Sequence, residues 1–311
     1  MRPVTYAVLV LICACFIVSA GYVTRPQSNS SLSEPTVLAT SVSVVTSSVD
    51  TQLSKTGISM TAIDVGRGDV LLVTYPNGKH MLVDAGGSYA ASHFVIPYLI
   101  QKGITRLDAI VCTHEHWDHI DGLTALLKDD RITVGNAYDS GFPMTRNLQK
   151  ANGHERASIE AYLAQLKEKH VKRLVVTAGD TLDVGHDGAS QKDTLTYVLS
   201  PNPALTTSLQ KRVKDTEGVS NHAAINENSL VLRIGYGKVH FLLAGDTSLP
   251  GSGYADAAML DDPTQSKHLS ADVLKLGHHG FSKPDDAFYS VVKPRYVVMT
   301  FGPQLRTSEP Y

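Results

Sequence analysis

The sequence predicts a mixed α/β fold built from two sheets. Apolar runs typical of strands alternate with helical patterns along the chain from residue 57 onward. A hairpin pattern occurs twice, as a strand, a turn containing Gly-Lys and a return strand ending in Ala-Gly, first around Gly78 and again around Gly237. Aligning these two glycines places Gly86 on Gly245 without a gap. The repeat indicates two halves that each contribute a hairpin to a sheet of its own.

The individual elements are predicted from short apolar runs, turn residues and helical spacing. The predicted strands are Met60–Asp64, Val70–Tyr75, His80–Asp84, Leu107–Cys112, Leu230–Ile234, Val239–Leu243 and Tyr296–Phe301. The predicted helices are Ser92–Lys102, Leu123–Lys128 and Arg156–Lys169. The segment Ile120–Leu127 is predicted to start the second of these helices.

The composition limits the class of protein. The 311 residues suffice for one large domain or two small ones, and 42% of them are hydrophobic, as in a globular protein with a core. A formal net charge of -2 argues against a strongly cationic nucleic-acid binder. Of the three cysteines only Cys112 lies in the body, which therefore has no intramolecular disulfide framework. We interpret Cys112 as a core residue.

Residues 1–24 predict a signal peptide or a membrane anchor. Arg2 precedes an uncharged apolar stretch, and about 20 apolar residues suffice to span a bilayer. The stretch also contains a small-residue pattern ending at Ala20 that suits signal cleavage, and Cys15 in a segment that loosely resembles a bacterial lipobox. Anchor, cleaved signal and lipid attachment remain three alternatives. The positive flank on the N-terminal side places the body outside the cytoplasm.

A linker is predicted between this segment and the body. Residues 25–56 are rich in Ser, Thr and Val, carry little charge and show no helical period. We expect a flexible tether there, followed by one compact domain over residues 57–311. The expected location is extracytoplasmic and bacterial in type, either membrane-anchored or secreted.

The stretch Thr113–Gly122 carries the strongest indication of chemistry. Six consecutive residues within it include three histidines and an aspartate, directly after a predicted strand. In α/β proteins such strand ends usually hold the active site. Imidazole and carboxylate ligands together suit zinc or another borderline transition metal. His114 and His116 can bind one ion, and Asp118 and His119 can then bind a second.

Further candidate ligands follow two apolar runs in the second half. Asp246 comes shortly after the predicted strand Val239–Leu243, and His278 and His279 follow a run ending at Leu276. An aspartate after a strand is usually a turn residue when it stands alone. Together with the first cluster, however, it is suited to bridge two cations, which lie about 3.5–4 Å apart in two-metal hydrolases.

The motifs of the body, taken in order, resemble one known family. They are Ile63–Asp69, Leu82–Gly86, Thr113–Gly122, Asn228–Leu232, Leu242–Asp246 and Leu274–Gly280. They resemble the metallo-β-lactamase-fold hydrolase superfamily and, within it, a stand-alone form of the extracellular hydrolase domain of the competence DNA-uptake channel family. The resemblance covers roughly residues 58–302. It implies an αββα sandwich with two divalent transition-metal ions, zinc or manganese, at the top of the two sheets.

The resemblance also implies a set of ligands. The implied ligands are His114, His116, Asp118, His119, Asp246 and His278. The first two serve the first metal, Asp246 bridges, and the others serve the second metal. Many superfamily enzymes add a third histidine to the first metal; this chain has no clear equivalent, because Asn228 occupies that position and His222 is near it only in sequence. Arg67 stands where the family usually has glutamine.

Roles in catalysis are predicted for four residues. Zinc lowers the pKa of a bound water towards about 7, and we expect Asp118 to orient that water. His279 is expected to donate a proton to the leaving group, and Asn228 and Ser229 to hold a substrate oxygen. Asp84 is the carboxylate most suited to hydrogen-bond a metal ligand from outside.

Three classes of function remain open. The leading hypothesis is a phosphodiesterase outside the membrane that acts on nucleic acid or on phosphate-containing wall or lipid headgroups. The others are a carbon-centred hydrolase for a lactam, lactone or thioester, and a non-catalytic binding module. Lys211–Lys214 is the sole compact basic run that would line a DNA groove. We do not expect DNA transport by this chain alone, since no set of membrane-spanning helices accompanies the domain.

Overall fold

The computed structural model describes residues 10–13, 57–146, 153–185, 194–214, 220–247, 249–281 and 285–301. Strands in these ranges form two sheets, one of seven strands and one of six. Across the first sheet the order is β1 (Val10–Cys13), β2 (Ser59–Ile63), β3 (Leu71–Thr74), β4 (His80–Val83), β5 (Arg106–Val111), β6 (Thr133–Asp139) and β7 (Lys172–Val175). Across the second it is β13 (Tyr296–Val298), β12 (Val273–Lys275), β11 (Val239–Leu243), β10 (Val231–Tyr236), β9 (Thr194–Ser200) and β8 (Thr181–Leu182).

Each sheet combines an antiparallel hairpin with parallel strands. Strands β3 and β4 pair with Leu71 opposite Val83, and β10 and β11 pair with Leu232 opposite Leu243. The hairpin repeat predicted from the sequence is therefore present, with one hairpin in each sheet. Strand β4 is parallel to β5, and β11 is parallel to β12. Since parallel neighbours end at the same edge, the loops after β4 and β5 lie together, as do those after β11 and β12.

Helices cover the outer faces of the two sheets. In chain order they are α1 (Ser88–Ala90), α2 (Ile96–Gln101), α3 (Trp117–Lys128), α4 (Pro143–Arg146), α5 (Gly153–Glu168), α6 (Pro203–Lys214), α7 (Asn221–Glu227), α8 (Ala255–Asp261), α9 (Pro263–Ser266) and α10 (Asp286–Val292). A π-helical turn, Ala91–Val95, joins α1 to α2, and a 3-10 turn, Gly277–Gly280, follows β12.

Three buried apolar clusters separate the four layers. Successive side chains of a strand point to opposite faces, so each central strand contributes to two clusters. Ile110 packs with helices α1, α2, α3 and α5, whereas its neighbour Val111 faces the second sheet. In the second sheet Leu243 faces the first sheet and Leu242 packs against helices α6, α7, α8 and α10. The order of layers is helix, sheet, sheet, helix, which confirms the predicted αββα sandwich.

Predicted and observed element bounds agree within a few residues. Strand β11 has the predicted bounds, whereas helix α3 begins at Trp117, earlier than predicted, so that Asp118 and His119 lie in its first turn. Helices α4 and α6 to α10 and strands β6 to β9 and β12 were not predicted. At the N-terminus, Val10–Cys13 pairs in parallel with β2.

The rest of the predicted signal or anchor segment, and the linker over 25–56, lie outside the described residues, and both stay predictions. Within the part of the chain that is described, no helix combines the length and the apolarity that crossing a membrane requires.

Candidate metal centre

The segments that follow strands β5, β11 and β12 bring histidines and carboxylates into one buried group. We call this group the central cluster. It consists of His114, Asp118, His119, Asp246 and His279. All five side chains are buried, and overlapping sets of three place one ligand atom from each residue within 4.8 Å of the others. Four of the five are predicted ligands.

A glycine in helix α3 allows the helix to pack closely against the loop after β4. The first turn of α3 carries the candidate ligands Asp118 and His119, and the next turn contains Gly122. Gly122 N–H donates to the carbonyl of Gly86 at 2.8 Å. A Cβ at position 122 would lie 2.1 Å from the carbonyl oxygen of Ala85, closer than any side chain tolerates. The close approach of α3 to the loop after β4 therefore requires glycine at this place in the motif.

Three histidine rings converge on a single oxygen of Asp246. The distances from its Oδ2 are 3.3 Å to Nε2 of His119, 3.4 Å to Nε2 of His279 and 3.7 Å to Nε2 of His114. Nε2 of His119 is buried and has no hydrogen-bond partner among the described residues, and neither has Oδ1 of Asp246. An oxygen surrounded by ring nitrogens from both halves suits the bridging role predicted for Asp246.

The same three rings are fixed from outside through Nδ1. The distances are 2.8 Å from His119 to Oδ2 of Asp84, 3.0 Å from His279 to Oδ1 of Asp69 and 3.1 Å from His114 to Oγ1 of Thr113. A ring whose Nδ1–H donates to oxygen keeps the lone pair of Nε2 for a metal. The donor set, its burial and its orientation fit two divalent transition-metal ions.

His279, and not His278, belongs to the central cluster. Nε2 of His279 also lies 3.7 Å from Oδ2 of Asp118, and the side chain is buried. His278 is half-buried and joins none of the candidate metal groups in the described chain. Both residues have positive φ, 46° and 60°, so the turn after β12 is tight enough to send adjacent rings in different directions. The structure therefore brings His279, and not His278, to the place where the sequence predicted His278, and the ligand role of His278 and the proton-donor role of His279 stay predictions.

The carboxylates make the cluster attractive for cations. Burial alone lowers the pKa of a histidine, yet the carboxylates of Asp246 and Asp84 raise the pKa of His119 well above its usual range. For His279, burial is likewise outweighed by Asp246, Asp118 and Asp69, which raise its pKa to about 9. Metal binding must therefore displace protons from these rings.

Arg67 lies beside Asp118 at the edge of the cluster. Its Nε donates to Oδ2 of Asp118 at 2.9 Å, and 40% of its side chain is exposed. The guanidinium stands 5.4 Å from the ring centroid of Trp117. Burial raises the pKa of Asp118, but the nearby positive charges of His279, His119 and Arg67 outweigh it and hold that pKa below its usual range. Arg67 thus contacts the candidate ligand Asp118 on one side and solvent on the other.

A buried lysine under the cluster was missed by sequence reasoning. Lys275 is fully buried, forms an ion pair with Asp69 and donates to the carbonyl of Gly245 at 2.8 Å. Its Nζ lies 3.8 Å from Oδ1 of Asp246. Burial raises the pKa of Asp69, but Lys275 and His279 outweigh it and hold that pKa well below its usual range. The sequence does contain an indication of this buried charge, because Lys275 stands at the end of an otherwise apolar strand.

The two residues predicted to hold a substrate oxygen are both buried. Ser229 is fully buried, and its Oγ accepts a hydrogen bond from the backbone N–H of Asp246 at 3.1 Å. Asn228 is also buried, and its Oδ1 accepts from Oγ1 of Thr206 at 2.7 Å. Ser229 therefore supports the loop that carries Asp246, whereas Asn228 accepts a hydrogen bond from helix α6, and their contacts with a substrate stay predictions.

His116 adjoins the central cluster without joining its carboxylates. Its Nδ1 lies 3.0 Å from Nε2 of His114. Its ring stacks on that of His222 at 3.9 Å between centroids, and one ligand atom each from His116, Glu155 and His222 lie within 4.8 Å of one another. We call these three residues the outer cluster. His222, which is near His116 in space and exposed, was not predicted to take part.

The remaining residues of the loop serve packing. The thiol of Cys112 is buried and donates to the carbonyl of His114 at 3.1 Å, as expected for a core residue. Glu115 is buried and accepts from Oγ1 of Thr145 at 2.6 Å. Burial raises the pKa of Glu115 to about 7 despite that hydrogen bond.

The basic run Lys211–Lys214 does not form an open groove. It is the last turn of α6, where Val213 is buried. Arg212 donates to the carbonyl of Gly253 at 3.2 Å and to the hydroxyl of Tyr254 at 3.0 Å. The central residues of the run are therefore engaged within the protein, and only its two lysines are exposed.

Known proteins resemble this chain in sequence. It is 28% identical over 269 residues to ComE operon protein 3 of Bacillus subtilis (strain 168). It is 25% identical over 248 residues to Competence protein ComA of Neisseria gonorrhoeae. The alignments cover 80% and 78% of this chain, but only 29% and 27% of those proteins. The chain thus spans less than a third of the length of the curated relatives it matches.

Solved structures also resemble this chain, at low sequence identity. The metallo-beta-lactamase fold protein YhfI from Bacillus subtilis has a TM-score of 0.42 at 14% identity, covering 75% of this chain and 79% of that one. A diphosphatase of the PhnP family has a TM-score of 0.40 at 14% identity, covering 76% and 74%. The sequence profile of the Metallo-beta-lactamase superfamily matches residues 63–278, more than half of the chain. The chain therefore belongs to the metallo-beta-lactamase superfamily.

Proposed function

We propose that this chain is an extracytoplasmic, dinuclear metal-dependent hydrolase that cleaves phosphodiesters. The observation that carries the proposal is the convergence of Nε2 of His114, His119 and His279 on Oδ2 of Asp246, at 3.3 to 3.7 Å. A structural carboxylate needs no such surroundings, whereas a bridging ligand does.

The proposed ligand sets combine these distances with the family resemblance. His114 and His116 would hold the first metal, and Asp246 would be shared between the two metals. Asp118, His119 and His279 would hold the second metal. Zinc and manganese both accept such a mixture of imidazole and carboxylate. Two divalent cations so placed lower the pKa of a bound water and stabilise the charge that gathers on the oxygens of a phosphoryl transition state.

The protein's own residues prepare the site for an anionic substrate. Asp84 and Asp69 fix the rings of His119 and His279, so their orientation needs no rearrangement during the reaction. The half-exposed guanidinium of Arg67 is suited to bind a phosphate oxygen, since arginine presents several donors in a fixed plane. A neutral lactam or lactone would gain less binding energy than a phosphodiester from a positive charge at this position.

The relatives named as competence proteins favour phosphate chemistry and keep nucleic acid among the candidate substrates. The engaged Arg212 argues against a wide DNA-binding surface at α6. We therefore propose a phosphodiester in general and leave the choice between nucleic acid and a phosphate-containing headgroup to the assay.

A substrate panel on the full chain tests the proposal. The zinc- or manganese-loaded protein should hydrolyse a chromogenic phosphodiester, and single-stranded DNA and a glycerophosphodiester should then be compared. Asp118→Ala and His119→Ala should abolish turnover, whereas the matched control His93→Ala, at an exposed histidine on the surface, should not. Cleavage of lactams or lactones without any phosphodiester would establish the carbon-centred alternative. Metal binding without any hydrolysis would indicate a binding module.

The proposed location needs its own test. The apolar segment within residues 1–24 and the polar tract that follows support a body tethered outside the cytoplasmic membrane, or secreted from it. Protease treatment of intact cells should release or degrade the body. Complete protection until lysis would contradict the proposal.

A further inference from the structure

His116 differs from the other candidate histidine ligands in which nitrogen faces the metal centre. In His114, His119 and His279, Nδ1 is bonded to oxygen and Nε2 faces Asp246. In His116, Nδ1 is the nitrogen that faces the centre, 3.0 Å from Nε2 of His114. Its Nε2 is buried and has no hydrogen-bond partner in the described part of the chain. A buried ring nitrogen of this kind requires an explanation.

The outer cluster lies beside the ring of His116. Glu155 lies in the first turn of α5 and is 6% exposed. His222 lies in the first turn of α7, and its ring stacks on His116 with 27° between the planes. One ligand atom from each of the three residues lies within 4.8 Å of the others. Residues from three separate segments of the chain therefore meet at His116.

Two kinds of partner would satisfy Nε2 of His116. A further metal ion in the outer cluster would require His116 to give up both ring protons, because Nδ1 already faces the central cluster. A carboxylate acceptor requires only a neutral imidazole with its proton on Nε2. The second arrangement repeats what Asp84 does for His119 and is the less demanding one.

We propose that Glu155 is a positioning residue that accepts the Nε2 proton of His116 and thereby directs the Nδ1 lone pair of His116 to the first metal. The proposal rests on the proposed metal centre. The candidate ligand atoms of the outer cluster lie within 4.8 Å of one another, so this hydrogen bond requires the Glu155 carboxylate to approach Nε2 of His116, and the ring of His222 stacks on His116 on one face. The role is one of orientation, since Glu155 itself touches neither metal nor substrate.

The full-length chain with Glu155→Gln, Glu155→Leu or the matched control Glu160→Leu tests this role. Glu160 is exposed on the same helix. Loss of such a carboxylate partner typically weakens metal binding 10- to 100-fold. Glu155→Leu should weaken one of the two metals by about this factor in chelator competition. Glu155→Gln, whose amide oxygen still accepts, should stay within a few-fold of wild type, and Glu160→Leu should be unchanged.

The tautomer of His116 provides a readout that does not depend on activity. Long-range ¹H–¹⁵N correlation spectra of the zinc-loaded wild type should show a proton on Nε2 of His116, in contrast to Nδ1 protons on His119 and His279. If Glu155→Leu fails to fold, the spectrum of the wild type is sufficient to test the proposal. A proton on Nδ1 of His116, or unchanged metal affinity in a folded Glu155→Leu, would overturn the proposal.

Metal stoichiometry separates the remaining outcomes. Two metals in wild type and in Glu155→Gln support the positioning role. Three metals in wild type, with one lost in Glu155→Gln, would mean that the outer cluster is itself a metal site, and the positioning role would be wrong. Two bound metals without phosphodiester hydrolysis would refute the proposed function but not the positioning role. The metal affinity of the Glu155 variants and the tautomer of His116 would still test that role.

Discussion

Asp84 holds His119 through a hydrogen bond of 2.8 Å between Oδ2 and Nδ1, and the same carboxylate accepts the backbone N–H of Thr113 through Oδ1 at 2.8 Å. Asp84 has positive φ, 56°, so its backbone is bent to bring the carboxylate beneath the loop that follows β5. One residue after β4 thus fixes both the start of that loop and one of its candidate ligands, His119. The sequence had marked Asp84 as the carboxylate most suited to this role.

Replacing Asp84 with Asn should weaken the second metal. The amide keeps the size of the side chain but removes the negative charge that orients and strengthens His119, and such changes typically cost 10- to 100-fold in affinity. Chelator competition on the purified variant measures this loss. Asp108→Asn is the matched control, because Asp108 accepts a backbone hydrogen bond from His80 on the same sheet, away from the ligands. Equal affinities for the two variants would contradict the prediction.

The adjacent histidines after β12 should behave differently. His279→Ala removes a ring from the central cluster, so the protein should bind about one metal fewer and lose turnover. His278→Ala removes a half-buried ring outside the cluster and should keep both metals. Elemental analysis after dialysis checks this, with the two variants as controls for each other. Loss of a metal in His278→Ala instead would restore the ligand set implied by the family resemblance.

Arg67 should act on the substrate more than on the metals. Its guanidinium is half-exposed and occupied through Nε by Asp118, so its other nitrogens can reach a phosphate oxygen. A hydrogen bond to a charged group contributes about 1.5–3 kcal/mol, and Arg67→Gln should therefore lower kcat/KM for a phosphodiester by about tenfold or more.

Metal content of Arg67→Gln should equal that of wild type, which separates this role from a structural one. Competition by inorganic phosphate should weaken in parallel with kcat/KM. An unchanged inhibition constant for phosphate would show that Arg67 does not contact the substrate.

The parts of the site that follow contiguous motifs were predictable from sequence. His114, His116, Asp118 and His119 stand within six residues at a strand end, a position that parallel strands reserve for ligands. Asp246 was found in the same way. The sequence did not show whether His278 or His279 points towards the central cluster. Their neighbouring positions give no information on which of the two rings a tight turn directs inward.

Contacts between segments that are far apart in the sequence could not be predicted from any local motif. Asp69 and His279 are hydrogen-bonded although 210 positions separate them. Glu155 lies on a helix whose apolar pattern shows only its packing face, so its approach to His116 is a consequence of the fold. Helix α6, in contrast, was overlooked despite a visible pattern, since Leu205, Leu209 and Val213 recur every four residues and are buried.

A buried carboxylate away from the metals should make stability depend on pH. Asp256 lies in the first turn of α8, and burial together with the nearby carboxylate of Glu227 raises its pKa to about 7, from an ordinary value of 3.8. The folded state thus binds this proton more tightly than the unfolded chain does. Its contribution to stability is complete below about pH 4 and is lost as pH rises through about 7.

Asp256→Asn should remove this loss because its side chain stays neutral at every pH. Between pH 5.5 and pH 8.5 the stability of wild type relative to Asp256→Asn should fall by about 2 kcal/mol, since each pH unit below the folded pKa corresponds to about 1.36 kcal/mol. Urea unfolding at saturating metal measures the difference at both pH values. Asp261→Asn, at an exposed position of the same helix, is the control and should follow wild type. A difference between wild type and Asp256→Asn that does not change with pH would mean that Asp256 is already ionised in the folded protein at pH 5.5.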